Sequence, residues 1–330
     1  MPQSDAHPSE EPHRTTGHRC AWWGWRRFDF PGDWRPEASV YTEPESGMKR
    51  EDVPQAFRFR SVAAGNFGAA GINTDGTIIC WGYQFTSQGP RNAEERAREG
   101  IEGCDWVRIS CRRWGKFTGV LALKRDGTLG QAGFVNPWPP AAERYIDIAS
   151  STDCDAALRE DGRVRTWSWN SETSHLSDET FTELANQPDH VSARREDGSW
   201  VWWTAPGPPR EVKGPGTPLR RIFLHPVCSL GLDEDGILHG WGDLPTEAPL
   251  GERFITLARG MGGVAGLRTN GRVVMWPHSR ESPQMVDSLR GRCPWLDSTR
   301  FVDVQATKMN FIGLVEDERK PDELSGTANA

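Results

Sequence analysis

Six dipeptides, Asp75-Gly76, Asp126-Gly127, Asp161-Gly162, Asp197-Gly198, Asp235-Gly236 and Asn270-Gly271, recur at glycine-to-glycine steps of 51, 35, 36, 38 and 35 residues. Each lies between short apolar runs, a strong hairpin signal, and a type I′ turn with positive φ at both central residues is predicted at each. Five residues after the glycines stand Trp81, Ala132, Trp167, Trp203, Trp241 and Trp276. Four residues before them stand Ile72, Leu123, Leu158, Arg194, Leu232 and Leu267, and ten further back an earlier strand starts at Val62, Ile148, Leu184, Ile222 and Leu257 in most copies. One unit therefore predicts three short strands, and Val62 to Gly82 is its cleanest copy. A period of this size decides the architecture before any single element does.

A seventh front half runs from Val304 to Leu314 but is not followed by a tryptophan strand. The missing half stands at the other end, where Cys20-Ala21-Trp22-Trp23-Gly24 matches Ile79-Cys80-Trp81-Gly82. Front and back halves balance at seven only if the N-terminal strand completes the C-terminal unit, which is how a radial array of sheets hides its edges. The expectation is an all-β ring of seven units in one domain over residues 18–317. Insertions are expected at 83–105, with a short helix in Asn92 to Glu99, and at 277–300; polar tails are expected at 1–17 and 318–330.

The 35 Gly and 24 Pro among 330 residues suit many short strands. A formal net charge of −7 argues against a general nucleic-acid or anionic-membrane binder. No apolar leader or membrane-length run occurs, so a cytoplasmic protein is expected. Seven scattered cysteines without a C-x-x-C pair read as buried thiols, with no metal site and no cofactor motif. Gly260-Met261-Gly262-Gly263 precedes a strand, not a helix, and reads as a tight turn.

The pattern carried by Val62-Ala63-Ala64-Gly65-Asn66-Phe67-Gly68, Asp75-Gly76 and Trp81-Gly82, and again by Leu232 to Gly242, resembles the repeat of the regulator of chromosome condensation family. The resemblance covers about residues 20 to 316. It implies a seven-bladed β-propeller of four-stranded antiparallel blades, closed by the terminal strands. The family's turn histidine is kept only at His190; its other positions hold Gly68, Gly119, Cys154, Cys228, Gly263 and Asn310. In style the chain is similar to propeller-type β-lactamase inhibitory proteins. It lacks the basic surface and tail of the family's chromatin-bound exchange factor and the Gly-Trp-Arg-His-Thr motif of its plant ultraviolet receptor.

Fold resemblance does not assign function, so candidate residues are taken from position and chemistry. The turns after the first strands are expected to share one face: Asn66, Phe67, Arg112, Arg113, Trp114, Phe117, Asp153, Asp189, Met261 and Met309 are the candidate partner-binding residues. Large apolar groups mixed with charge suit a protein interface. The repeat tryptophans are expected in the core, while Trp25, Trp34, Trp106, Trp114, Trp138, Trp169 and Trp295 are candidates for an exposed surface. A protein-binding scaffold is the first reading. The alternative is an enzyme or small-molecule binder in the propeller mouth, in a specialised biosynthetic pathway, with Asp153, Asp189, His190 and His225 as acid–base candidates. Ultraviolet sensing by clustered tryptophans is a third.

Overall fold

The computed structural model describes residues 17–27, 34–39, 57–65, 68–82, 101–114, 117–132, 142–168, 174–186, 190–204, 206–225, 228–260, 263–277, 286, 293–306 and 310–316. The insertion helix expected at 92–99 and the two expected tails lie outside them, apart from Gly17. Among the described residues no helix is long and apolar enough to cross a membrane.

The chain opens with β1 (Arg19–Arg27) and β2 (Trp34–Ser39). A first sheet follows from β3 (Phe59–Ala64), β4 (Gly68–Asn73) and β5 (Ile78–Gly82). The second holds β6 (Trp106–Trp114), β7 (Phe117–Lys124) and β8 (Leu129–Ala132). The third has four strands, β9 (Tyr145–Ser150), β10 (Asp155–Arg159), β11 (Arg163–Trp167) and β12 (Ser174–Thr180). So has the fourth, with β13 (Glu183–Asn186), β14 (Val191–Arg194), β15 (Trp200–Trp203) and β16 (Arg210–Glu211). The fifth contains β17 (Arg221–Phe223), β18 (Cys228–Leu232) and β19 (Leu238–Gly242). The sixth contains β20 (Thr256–Gly260), β21 (Gly263–Leu267) and β22 (Val273–Trp276). After a 3₁₀ turn at Pro294–Asp297, β23 (Phe301–Ala306) and β24 (Asn310–Val315) end the described chain.

Neighbouring strands are antiparallel throughout, and the terminal sheet has the order β2-β1-β24-β23. In it β1 lies along β24 from Arg19↔Val315 to Gly24↔Asn310, so the N-terminal strand pairs with the C-terminal one as the half-unit count predicts.

The hairpin turns differ in type from the expectation. Only the glycines take positive φ, from 79° to 87° at Gly76, Gly127, Gly162, Gly198, Gly236 and Gly271; the preceding Asp or Asn does not. The Gly76 N–H donates to the Asn73 carbonyl, and the Asn73 N–H to Thr77, which is a type I turn closed by a left-handed glycine rather than type I′. The aspartate serves through its side chain instead. Asp75 Oδ1 accepts the Thr77 N–H at 2.8 Å, and Asp126, Asp161, Asp197 and Asn270 each accept the N–H two residues on.

A second repeat sits three residues before the strand starts read from sequence. Phe59, Trp106, Tyr145, Phe181, Leu219, Phe254 and Phe301 lead the seven units, and all are buried. Their rings are seated by the small residue that precedes Ile72 and its equivalents: a methyl on Gly71 would meet Phe59 at 2.4 Å, and one on Gly266 would meet Phe254 at 2.6 Å. The repeat tryptophan closes on the same ring, with centroids 5.3 Å apart for Phe59–Trp81, 5.4 Å for Phe181–Trp203 and 5.7 Å for Phe254–Trp276. In the terminal sheet Trp23, from β1, takes that role at 5.3 Å from Phe301. Trp106, expected on the surface, is one of these leaders and is 2% exposed. It shares a cluster with Ala132, so the larger leader fills space where the second unit lacks its repeat tryptophan. Trp241, the expected core residue of the fifth unit, is only half-buried.

The turn glycines also position the next unit. The Gly76, Gly127, Gly162, Gly236 and Gly271 carbonyls accept the leader N–H of Trp106, Tyr145, Phe181, Phe254 and Phe301. For Phe59 the acceptor is the His18 carbonyl, just before β1. Apolar clusters follow the same order. Trp106 and Val120 pack on Ile72 and Ile78, and Tyr145 and Ile148 on Leu121 and Leu123. Leu184 and Trp203 pack on Ala156 and Val164, and Leu219 and Ile222 on Trp200. Phe254 and Trp276 meet Leu230 and Leu238, and Phe301 and Phe311 meet Leu267 and Met275. The last cluster returns to the start, with Ile312 and Leu314 against Phe59, Val62 and Trp81.

Candidate functional site

The turn between first and second strands of each sheet lies at the end opposite the Asp-Gly hairpins, because the two strands are antiparallel. Asn66, Phe67, Asp189, Met261 and Met309 fall outside the described residues. Arg113, Trp114 and Phe117 are placed on β6 and β7 by their backbone.

Arg112 is described in full, and it turns inward. Its Nε donates to Asp155 Oδ1 at 3.2 Å, and its Nη2 pairs with Oδ2, joining β6 to β10 of the next sheet. Both side chains are buried, and burial pulls the Arg112 pKa down to about 10 while the Asp153 carboxylate favours its charge. A cavity of about 10 Å³, lined by Gly119, Gln131 and Ser150 beside the pair, has room for about one water. Such a pair costs several kcal/mol to break by removing one partner. The root of the β6–β7 hairpin is therefore rigid.

That hairpin is longer than its counterparts. β6 runs on past Cys111, the position equivalent to the strand ends Ala64, Ser150 and Ala306, through Arg112 and Arg113 to Trp114. Trp114 is the cross-strand partner of Phe117 in backbone register. Three further residues carry β6 about 10 Å past the Cys111 position.

The acid–base candidates meet different surroundings. Asp153 is exposed, and His225 is half-buried with its N–H on Ser229 Oγ at 3.2 Å. His190 is buried with its ring 5.4 Å from that of Trp202. Burial pushes the neighbouring Cys154 thiol up to about 12, which keeps it protonated and inert. Cys111, Cys228 and Cys293 are buried too, but Cys104 is exposed. Among the described residues no group of three or more His, Cys, Asp or Glu is arranged to hold a metal.

The other end of the first strands carries a polar layer that sequence reading missed. Two residues after each leader stand Ser61, Arg108, Asp147, Glu183, Arg221, Thr256 and Asp303. Arg108 Nη1 reaches Asp147 Oδ1 at 2.5 Å, and Asp147 Oδ2 accepts the Leu184 N–H at 3.1 Å, so one carboxylate ties three consecutive sheets. Arg221 donates to Thr256 at 3.0 Å and draws on the charges of both Glu183 and Asp303. Burial raises Asp147 and Glu183 above the usual carboxylate range and pushes Asp303 to about 6. The signal was present as polar residues at one fixed offset from an aromatic, but a bulge after Phe59, Trp106, Tyr145 and Phe301 breaks the alternation that would expose it.

Comparison with solved structures settles the fold. Yeast RCC1 (Prp20), in its complex with Kap60, superposes with a TM-score of 0.63 over 96% of this chain and 95% of its own, at 14% identity. Human WBSCR16 gives 0.59 over 91% and 99%, at 13% identity. The fold is that of an RCC1-like β-propeller. The ectodomain of the Arabidopsis thaliana receptor kinase ACR4 also matches, at 0.55 over 80% of this chain and 97% of its own, with 14% identity. The sequence itself matches no family profile and no curated protein. The likeness to these structures is one of fold.

Proposed function

We propose that this chain is a protein-binding scaffold, a closed seven-bladed propeller over residues 18–317 that recognises its partner through the face of the first-strand turns. The observation that carries the reading is the β6–β7 hairpin: its strands run on beyond the Cys111 position, they are anchored by a buried ion pair, and they pair Trp114 with Phe117 in backbone register. Large aromatic residues supply contact area at low entropic cost, and tryptophan is enriched among binding hot spots. Arg113 on the same hairpin, with Asn66, Phe67, Asp153, Asp189, Met261 and Met309 on other blades, extends the proposed surface. Support for closure comes from the cluster that joins the terminal sheet to the first and from the His18 carbonyl on Phe59. Protein binding accords with the fold neighbours, since Prp20 is seen bound to Kap60 and has been studied for binding to Gsp1p and histones.

Site-specific photo-crosslinking tests the face. A photoreactive amino acid at Trp114 or Phe117 is expected to capture one protein in the source cells, and the same group at the exposed Glu196, on the opposite face, is not. Capture should fall at least tenfold when the probe sits at Phe117 and Trp114→Ala is added. Equal capture from position 196, or none from 114 and 117, would reject the hairpin as the contact.

A further inference from the structure

The sixth hairpin turn departs from the other five in one residue. Asp75, Asp126, Asp161, Asp197 and Asp235 precede their turn glycines, whereas Asn270 precedes Gly271 and is the one asparagine of the chain followed by glycine. The backbone is nevertheless the same. Gly271 has φ +79°, its N–H donates to the Arg268 carbonyl at 2.9 Å, and its carbonyl accepts the Phe301 N–H at 2.7 Å. Asn270 Oδ1 accepts the Arg272 N–H at 3.0 Å, as Asp75, Asp126, Asp161 and Asp197 do for the residue two on. This bond folds the carboxamide back toward the Gly271 peptide, in a corner where Asn270 is exposed to water.

The six corners differ in reactivity. An ionised carboxylate resists nucleophilic attack, and Asp75, Asp126 and Asp197 are held below the usual carboxylate range, first by hydrogen bonds from Thr77, Thr128 and Ser199. The neutral amide of Asn270 is an electrophile, and the nitrogen beside it belongs to a residue with no side chain to shield it. We infer that Asn270 is a self-modification site, which deamidates in the folded protein to aspartate. Hydroxide removes the Gly271 amide proton, the nitrogen bonds to Asn270 Cγ, and the Cγ–Nδ2 bond breaks, releasing ammonia and leaving a cyclic imide. Water then opens the imide at Cγ. The net change is amide and water to carboxylate and ammonium, with no change of oxidation state.

The corner suits that product. Arg300 runs alongside the turn, its Cβ 3.3 Å from the place of a methyl on Gly271, and Arg268, itself paired with Glu252, stands two residues before Asn270. Arg144 and Lys124 hold the same two places in the second sheet, where after Thr128 they add to the hold on the Asp126 charge. Opening the imide at the main-chain carbonyl would give isoaspartate. That product inserts Cβ into the backbone, and the turn could not then keep both its Arg268 and its Phe301 hydrogen bonds. Aspartate keeps both, so the fold directs hydrolysis to it, and its ionised carboxylate ends the reaction. Imide formation gives up the Gly271 N–H bond to Arg268, which slows the native reaction by about tenfold at most, the worth of one hydrogen bond.

The test incubates the full chain at mildly alkaline pH, native or in urea, and follows each asparagine by peptide mass spectrometry. Electron-transfer fragmentation tells aspartate from isoaspartate. Position 270 of the native chain is expected to convert before any other asparagine, within about tenfold of its rate in urea, and with a smaller isoaspartate share than in urea. Asn270→Gln, which would have to close a larger ring, should convert at least tenfold more slowly than wild type. Asn270→Asp, the product made directly, should unfold at a urea midpoint no lower than wild type. Native conversion slower than that limit, an isoaspartate share equal to that in urea, or a lowered midpoint for Asn270→Asp would each overturn the inference.

Discussion

Trp23 offers the most direct measure of how much of the fold rests on the pairing of chain ends. Its side chain has no exposed surface and lies 5.3 Å from Phe301, 5.6 Å from Phe311 and 6.0 Å from Trp295 by ring centroids. Burying a side chain of about 200 Å² at about 25 cal/mol per Å² is worth about 5 kcal/mol as an upper bound, and Trp→Ala changes in cores cost about 3–5 kcal/mol. Trp81 is the internal reference, because it occupies the equivalent place on a strand continuous with its own sheet. If β1 is an integral member of the terminal sheet, Trp23→Ala should destabilise urea unfolding by about as much as Trp81→Ala, each by about 3–5 kcal/mol. An N-terminal strand that merely rests on the surface would give a Trp23→Ala loss within about 0.5 kcal/mol, with Trp81→Ala still severe. That second outcome would refute the reasoning and remove the terminal pairing from the account of stability.

Three further expectations concern the polar core and the turns. Arg112→Met alone should cost about 3–5 kcal/mol by stranding the Asp155 carboxylate, and adding Asp155→Leu should restore most of it; a double mutant no better than the single would show that the pair is not a closed unit. Asp303 has a folded pKa raised by burial to about 6, so its favourable contribution holds in acid and is lost as pH rises from the ordinary aspartate range through about 6. Asp303→Asn should therefore flatten that part of the stability–pH curve and raise stability at pH 7 by on the order of 2 kcal/mol, as read from urea melts at pH 4.5 and 7; an unchanged slope counts against it. Gly236→Ala should cost clearly more than Gly198→Ala, although φ is +79° and +84°, because the added methyl meets the Phe254 carbonyl at 2.6 Å in one and nothing nearer than 3.6 Å in the other; equal losses in unfolding free energy would contradict the inter-sheet role of the turn.

The repeating architecture could be read in the sequence because its markers are local. A left-handed glycine and a tryptophan at fixed offset need no knowledge of the partner sheet. The turn type could not be read in this way: Asp-Gly serves type I′ by its backbone and type I by the aspartate side chain, and only the φ of Asp75 and its equivalents separates the two. Leaders escaped because Trp106, Tyr145, Leu219 and the phenylalanines differ in kind, and what seats Phe59, Leu219, Phe254 and Phe301 is a glycine one strand away. Trp106 looked surplus to the repeat and was expected outside for that reason. At the candidate site, the enlarged turn from Arg112 to Phe117 stood out as a departure between copies. The inward turn of Arg112 was hidden because its reason, Asp155, lies 43 residues further on.

The pairing of β1 with β24 also sets how the molecule responds to being pulled. Arg19 is opposite Val315, so the chain enters and leaves the terminal sheet at the same end of that pair. Tension applied through Gly17 and Glu316 would load the ladder one rung at a time from that end, as in opening a zipper, instead of shearing all its hydrogen bonds together. The His18–Phe59 bridge is the first fastening that such a load would meet. A scaffold tethered by its two ends would thus part at this seam first, leaving the sheets built within a single stretch of chain still folded.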